Sequence, residues 1–207
     1  MNLIIFGATG KTGLEITQQA LDAGHNVTAF VRDASRLSIQ HEHLTPFVGD
    51  VLNADQVTAS LENQDAAVCA LGSGNNLGKT GVRPIGTQNI IQGMQEHSVG
   101  RLLVVSAMGT GSSWEQLSFF NKAIYALFMK NVRAEHEEQE TAVKASQLDW
   151  TIIRPSGLTD NPMTGVYDVG EVIKAKTSRI ARADVAHLII NTLQQTDLIG
   201  KAITITN

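Results

Sequence analysis

Cys69 is the single cysteine in 207 residues, so no intrachain disulfide can form, and a reducing compartment, the cytoplasm, is the expected location. A basic excess is also missing. Sixteen Lys and Arg stand against 20 Asp and Glu, a formal net charge of −4. That balance gives no electrostatic ground for binding nucleic acid or an anionic membrane. Long apolar runs are absent as well. Met1-Asn2-Leu3-Ile4-Ile5-Phe6-Gly7 has no basic lead and only four consecutive apolar residues. That is too short for a signal peptide or a membrane span, and it reads as a buried strand. No internal repeat or low-complexity tract appears. His41-x-His43 lacks companion ligands, so no metal site is expected. The expected assembly is a monomer or weak homo-oligomer.

What is present is an ordinary globular composition, 43% hydrophobic and 17% charged, of a length that suits one domain. Apolar runs alternate with amphipathic stretches. Strands are expected at Leu3 to Phe6, Val27 to Val31, Pro46 to Val48, Ala66 to Ala70, Leu102 to Val105, Trp150 to Ile153 and Ala202 to Ile205. Helices are expected at Thr12 to Ala23, with Gly24 as the stop, and at Ala54 to Leu61, Pro84 to His97, Phe119 to about Ala145 and Asp184 to Leu193. A short helix is expected near Ser35. The pattern predicts an α/β fold, a Rossmann-type doubly wound parallel sheet of about six to seven strands with helices on both faces. Residues 1–207 read as a single NAD(P)-binding domain, with about 154–180 as a small loop-rich substrate-pocket insertion.

Gly7-Ala8-Thr9-Gly10-Lys11-Thr12-Gly13 lies between an expected strand and an expected helix, the context that makes a glycine triplet informative. Gly7 permits the tight turn, Gly10 admits a pyrophosphate close to the backbone, and Gly13 lets the helix pack on the sheet. The unpaired amides of the first helical turn then face the anion. Gly10-Lys11-Thr12 is not a triphosphate loop, since the position five residues before Gly10 is Ile5. Gly78-Lys79-Thr80 fails the same test at Ser73. An NAD-specific domain ends its second strand with an acid that binds the ribose 2′-hydroxyl. Here that strand ends in Arg32, with Arg36 four residues on. Two guanidinium groups suit a 2′-phosphate, so NADP(H) is expected. The alternative is that Asp33 makes the ribose contact. Asp50 follows the third strand, where it either meets the adenine or caps the next helix. Leu71-Gly72-Ser73 is expected to pass over the adenosine ribose and the pyrophosphate.

Gly7 to Gly13, Val31 to Leu37, Val48-Gly-Asp-Val51, Leu71-Gly72, Pro162-Met-Thr-Gly-Val-Tyr167 and Ser178-Arg-Ile180 together resemble the atypical short-chain dehydrogenase/reductases. Within them the sequence resembles the NAD(P)H-binding group of the biliverdin reductase B or flavin reductase type, over residues 1 to about 190. Arg154 to Asp160 and Ile180 to Ala186 resemble its bacterial relatives. The resemblance implies an NADPH-dependent reductase that passes hydride to a planar acceptor such as a flavin, a quinone or a linear tetrapyrrole. FMN or FAD is then a substrate rather than a prosthetic group. By position it implies cofactor contacts from Gly7, Thr9, Gly10, Thr12, Arg32, Ser35, Arg36, Asp50, Val51, Leu71 and Gly72. Pro155 and Ser156 fall at the nicotinamide end. Three departures concern the substrate. Ser106 or Ala107 takes the place of the group's serine, Ser156 stands for a histidine, and Gly74 for an arginine.

The wider superfamily works with Tyr-x-x-x-Lys, in which the lysine lowers the tyrosine pKa. Tyr125 is followed at the fourth place by Met129 and Tyr167 by Glu171, so carbonyl reduction by that pair is disfavoured. Hydride transfer to a flavin asks mainly for positioning, because the acceptor ring delocalises the charge. Ser106 is the candidate catalytic residue, hydrogen-bonding the carboxamide or the acceptor, or else satisfying local backbone. Trp114 and Phe119-Phe120 are candidates to line a planar pocket, or core. Arg179 is a candidate for a substrate anion, or a surface cation. Glu135 to Glu140 reads as a solvated helix face. The competing function is a non-catalytic NADP-sensing or binding protein.

Overall fold

The computed structural model describes residues 1–74, 76–117, 122, 127, 129–173 and 178–207. The first strand, β1 (Asn2–Phe6), is followed by α1 (Lys11–Asp22), β2 (Asn26–Val31), β3 (Leu44–Val48), α2 (Ala54–Ser60), β4 (Ala66–Cys69), α3 (Val82–Glu96) and β5 (Arg101–Val105). Then come α4 (Lys130–Ala145), β6 (Asp149–Pro155), β7 (Gly157–Thr159), β8 (Asp168–Gly170), β9 (Arg179–Ala181), α5 (Arg182–Thr192) and β10 (Lys201–Thr206). The sheet runs β3-β2-β1-β4-β5-β6-β10-β8, parallel throughout except for β8 against β10. Strand order reverses between β1 and β4, which places the switch point, and a ligand crevice, at their carboxyl ends.

Period-two alternation assigns each strand residue to one of two cores. Leu3 and Ile5 of β1 face Ile16 and Ala20 of α1 and Val185 and Ile189 of α5. Ile4 and Phe6 face Val57 of α2, Ile90 and Met94 of α3, and Val143 of α4. Burial on both faces is why these strands read as unbroken apolar runs. The first helix ends as its sequence requires. Gly24 takes φ +79°, and the amides of Gly24 and His25 donate to the carbonyls of Leu21 and Ala20.

Seven of the expected strands form with boundaries shifted by a residue or two. The main sheet has eight strands, and β7 and β9 make a separate parallel pair, more than the six to seven expected. The additions, β7, β8 and β9, are three residues each and lie within 157–181, read as loop-rich. Three residues carry no usable periodicity, and their pairing is decided by tertiary contact. Of the expected helix from Phe119 to about Ala145, the stretch Lys130–Ala145 forms with Met129 as its non-helical cap, and the expected start lies outside the described residues. Phe119, Phe120 and Tyr125 lie outside the described residues.

Candidate functional site

At the carboxyl end of β1 the chain turns through Gly7, whose φ is +88°. A Cβ there would stand 2.4 Å from the carbonyl oxygen of Ala70, and one on Gly13 would stand 2.1 Å from that of Gly7. Both glycines are therefore imposed by the fold itself. Gly10 differs. It starts α1 from an extended backbone, φ −76°, and its Cβ would meet only Gly7 oxygen, at 3.2 Å. What Gly10 keeps open is space on the outer side of the turn. The amides of Lys11, Thr12 and Gly13 find no acceptor among the described residues, and Gly10 offers no side-chain cap. A cradle held clear of Cβ atoms, with unclaimed amides at a helix N-terminus, fits a dinucleotide pyrophosphate. Thr9 and Thr12 flank this turn. Lys11 points elsewhere, its ammonium 2.6 Å from Asp160.

The neighbouring strand ends carry the rest of the crevice. Arg32 and Arg36 are exposed and form no ion pair among the described residues. Asp33 is engaged: it accepts from the backbone amide and hydroxyl of Ser35, at 2.9 and 2.7 Å, and caps the short turn Ala34–Arg36. Those Ser35 bonds, aided by Arg36, hold its carboxyl below the usual range. Asp50 closes an Asx turn onto the amide of Leu52, while Asn53 caps α2, so the cap alternative for Asp50 falls to Asn53. Val51 and Leu71 are buried against Gly86 of α3, where a Cβ would meet both within 2.9 Å. Gly72 is exposed, and Ser73 pins its own loop through the carbonyl of Asn76.

The ends of β5 and β6 hold a polar cluster that sequence reasoning missed. Glu135 to Glu140 is not a solvated face: Glu135, His136, Gln139 and Glu140 are all buried. The acidic run misled because two of its four acids, Glu135 and Glu140, point inward to buried cations, while Glu137 and Glu138 stay open to solvent. Glu140 accepts from Ser106 Oγ at 2.8 Å, from Arg154 Nε at 2.8 Å and Nη2 at 2.6 Å, and from Lys144 at 3.0 Å. Burial would raise its pKa, but the hydrogen bonds and charge of Arg154, with Ser106 and Lys144, hold it ionised. Arg154, fully buried, also donates to Ser112 at 3.0 Å. One turn earlier, His136 shares this helix face. Its Nδ1 meets Gln139 Oε1 at 3.2 Å, and the Gln139 amide in turn donates to Thr87 at 2.9 Å. Burial, then the charge of Arg83, push His136 down to about 4, so it is a neutral imidazole near neutral pH. Glu135 receives the amides of Thr80 and Gly81 at 2.5 and 2.7 Å and Arg83 at 3.0 Å, and so caps α3 from another helix. Pro155 and Ser156 end β6 beside this cluster. Ser156 Oγ is buried with no hydrogen-bond partner among the described residues. The signal available in the sequence was the i, i+4 spacing of His136 and Glu140, read there as surface.

The remaining candidates are placed as follows. Trp114 is half-buried, with the Arg133 guanidinium 3.8 Å from its ring centre, so that face is taken by a cation. Arg179 opens β9 and is exposed. Asp160 joins Lys11, at the start of α1, to Arg182, at the start of α5. Lys11's hydrogen bond and the charge of Arg182 keep its carboxyl low. A separate cleft of about 630 Å³, lined by Glu15, Gln19, Pro162, Met163 and Ile190 among others, includes no residue of the glycine turn. Among the described residues there is no cluster of potential metal ligands, and no helix is long and apolar enough to cross a membrane.

A parallel sheet that reverses order beside a glycine turn, with free helix amides at the reversal, makes this a dinucleotide-binding protein of the Rossmann class. The sequence model of a family described as NAD(P)H-binding matches residues 7–196, and the chain belongs to that family. Protein YwnB of Bacillus subtilis is 28% identical over 211 residues, covering 94% of this chain and 92% of its own length. Two solved structures agree. One is an NAD-dependent epimerase/dehydratase, so titled, from Bacillus halodurans, with 26% identity and TM-score 0.85 over 100% of this chain and 94% of that one. The other is the anaerobilin reductase ChuY of Escherichia coli O157:H7, with 25% identity and TM-score 0.82 over 100% and 97%. The family and these neighbours bear out the resemblance to the atypical short-chain reductases.

Proposed function

We propose that this chain is an NADPH-dependent reductase that passes hydride to a planar acceptor of the flavin, quinone or linear tetrapyrrole kind. The observation that carries the choice of NADPH is at the end of β2. Arg32 and Arg36 are exposed and unpaired among the described residues, while the competing Asp33 is committed to Ser35. A 2′-phosphate has two guanidinium groups to meet, whereas Asp33 is turned to Ser35 through Oδ1 and keeps only Oδ2 for a 2′-hydroxyl. NADPH, when bound, supplies the hydride. Gly7, Thr9, Gly10, Thr12 and Gly13 hold its pyrophosphate. Ser35, Asp50, Val51, Leu71, Gly72 and Ser73 border the adenosine half, and Ser106, Pro155 and Ser156 the nicotinamide end. Lys11 reaches the cofactor only by exchanging Asp160 for a phosphate oxygen.

Support for an acceptor that needs little proton donation comes from what the site lacks. Tyr125 is followed at the fourth place by Met129 and Tyr167 by Glu171, so neither tyrosine has a lysine one turn on. The reductase ChuY supports a reductase, and the missing Tyr-x-x-x-Lys, rather than the neighbours, weighs against an epimerase. Residues 1–207 act as one unit, with 154–180 and Arg179 on the acceptor's side. The buried thiol of Cys69 suits a reducing, cytoplasmic setting, and the chain works as a monomer or weak homo-oligomer with no nucleic-acid or membrane partner. A second reading, NADP sensing without turnover, is favoured by the Ser106 proton being committed to Glu140. NADPH oxidation with FMN, a quinone and biliverdin decides between the two. Turnover well above the uncatalysed rate is expected with at least one acceptor. Tight NADPH binding with no turnover on any of them would establish the sensor instead.

A further inference from the structure

We infer that Glu140 and Arg154 are positioning residues that fix Ser106 as a hydrogen-bond acceptor, and that Ser106 thereby orients the cofactor's carboxamide by its N–H rather than its C=O. The inference rests on the NADPH reading above.

The chain of reasoning is one of donors and acceptors. An ionised carboxylate can only accept, and a guanidinium can only donate. Arg154 Nε and Nη2 grip the two oxygens of Glu140 at 2.8 and 2.6 Å, and Lys144 adds a third cationic donor at 3.0 Å. Side chains 0% and 2% exposed leave water no room to compete in this pair. In the 2.8 Å contact between Ser106 and Glu140, the serine must therefore be the donor. A hydroxyl has one proton. With it spent, Ser106 Oγ offers lone pairs alone, and no described donor claims them. The backbone keeps the residue in place, since the Ser106 amide donates to Ile153 oxygen at 2.7 Å. Ser106 thus sits at the carboxyl end of β5 as an acceptor of fixed direction. It has no proton to give to a reacting group. A nicotinamide carboxamide presents both an NH2 and a C=O, and such a serine selects the NH2. The ring orientation follows from that choice, and with it the face presented to the hydride acceptor. Neither Glu140 nor Arg154 touches the cofactor; both act through Ser106.

The test uses the 3-acetylpyridine analogue of NADPH, in which a methyl group replaces the carboxamide NH2. Binding to the full chain is read by protein fluorescence, with no turnover needed. Wild type is expected to prefer NADPH by about five- to tenfold, the upper range for one hydrogen bond in a polarised setting. Ser106→Ala should bring the two cofactors to parity by weakening NADPH alone. In Glu140→Gln the amide oxygen goes to the side of Lys144 and Arg154 Nη2, which holds two cationic donors, rather than to the side of Ser106 and Arg154 Nε, which holds one. Its NH2 then faces Ser106, whose proton is released to the cleft, and the preference collapses again. Should Glu140→Gln melt too low to study, Ser106→Ala decides alone. A wild-type preference retained in Ser106→Ala, or in folded Glu140→Gln, overturns the inference. Wild type binding both cofactors equally overturns it while leaving the NADPH reading intact. Wild type binding neither overturns both.

Discussion

Alanine at Gly10 and at Gly13 should separate cofactor binding from folding, because the two glycines serve different ends. At Gly13 a methyl group would lie 2.1 Å from Gly7 oxygen and 2.9 Å from Ala8 Cα. Both are backbone atoms of a turn fixed on its other side by β4, so nothing flexible can yield. Overpacking of this kind costs about 1–3 kcal/mol. In a chain of this length that lowers Tm by about 2–12 °C. At Gly10 the backbone is already extended at φ −76°, and the one near contact is 3.2 Å. The loss there is about 0.5–1 kcal/mol, the gap between glycine and alanine at a helix N-cap. The methyl group does, however, occupy the space through which the pyrophosphate approaches. Thermal melts of both variants, paired with NADPH titrations, read the two effects independently. Gly10→Ala should melt within about 4 °C of wild type yet bind NADPH at least about tenfold more weakly. If Gly10→Ala binds NADPH as wild type does, the pyrophosphate does not cross this turn and the argument fails.

Other expectations follow from the buried groups. Glu140→Ala leaves Arg154 buried without a counter-charge and should cost about 3–5 kcal/mol in urea unfolding, and Glu140→Leu with Arg154→Met should recover most of it. A single variant no less stable than wild type would contradict that account of the pair. His136 titrates near 4 in the fold against 6.5 unfolded, so between those values the unfolded chain binds the extra proton. Stability should therefore rise with pH from about 4 to 6.5 and level off above, by up to about 3 kcal/mol. His136→Gln should flatten that rise, and an unchanged profile would mean the imidazole is not held neutral. Asp160→Asn breaks exposed ion pairs and should shift stability by less than about 1 kcal/mol, a figure that added salt should shrink further.

The frame of the fold was legible because its signals are local. Strand runs buried on both faces, a glycine triplet between strand and helix, and Gly24 as a helix stop each leave a mark within a few residues. The places of Arg32 and Asp50 just beyond strand ends were legible for the same reason. The polar cluster behind Ser106 was not. Glu140, Arg154 and Ser106 meet across separations of 14 and 34 residues, and an acidic helical run looks alike whether it meets water or buried guanidinium groups. Trp114 carried no local sign that Arg133 would stack on it. The short strands β7, β8 and β9 are made by pairing partners rather than by their own composition.

The most direct test of the central claim is the affinity of Arg32→Ala for NADPH and for NADH, measured side by side. A charge-assisted contact of about 1.5–3 kcal/mol predicts that NADPH binding weakens by roughly 10- to 150-fold. NADH, which lacks the 2′-phosphate, should change by no more than about twofold. Equal losses for the two cofactors, or no loss for either, would contradict the assignment of the β2 end as the 2′-phosphate site.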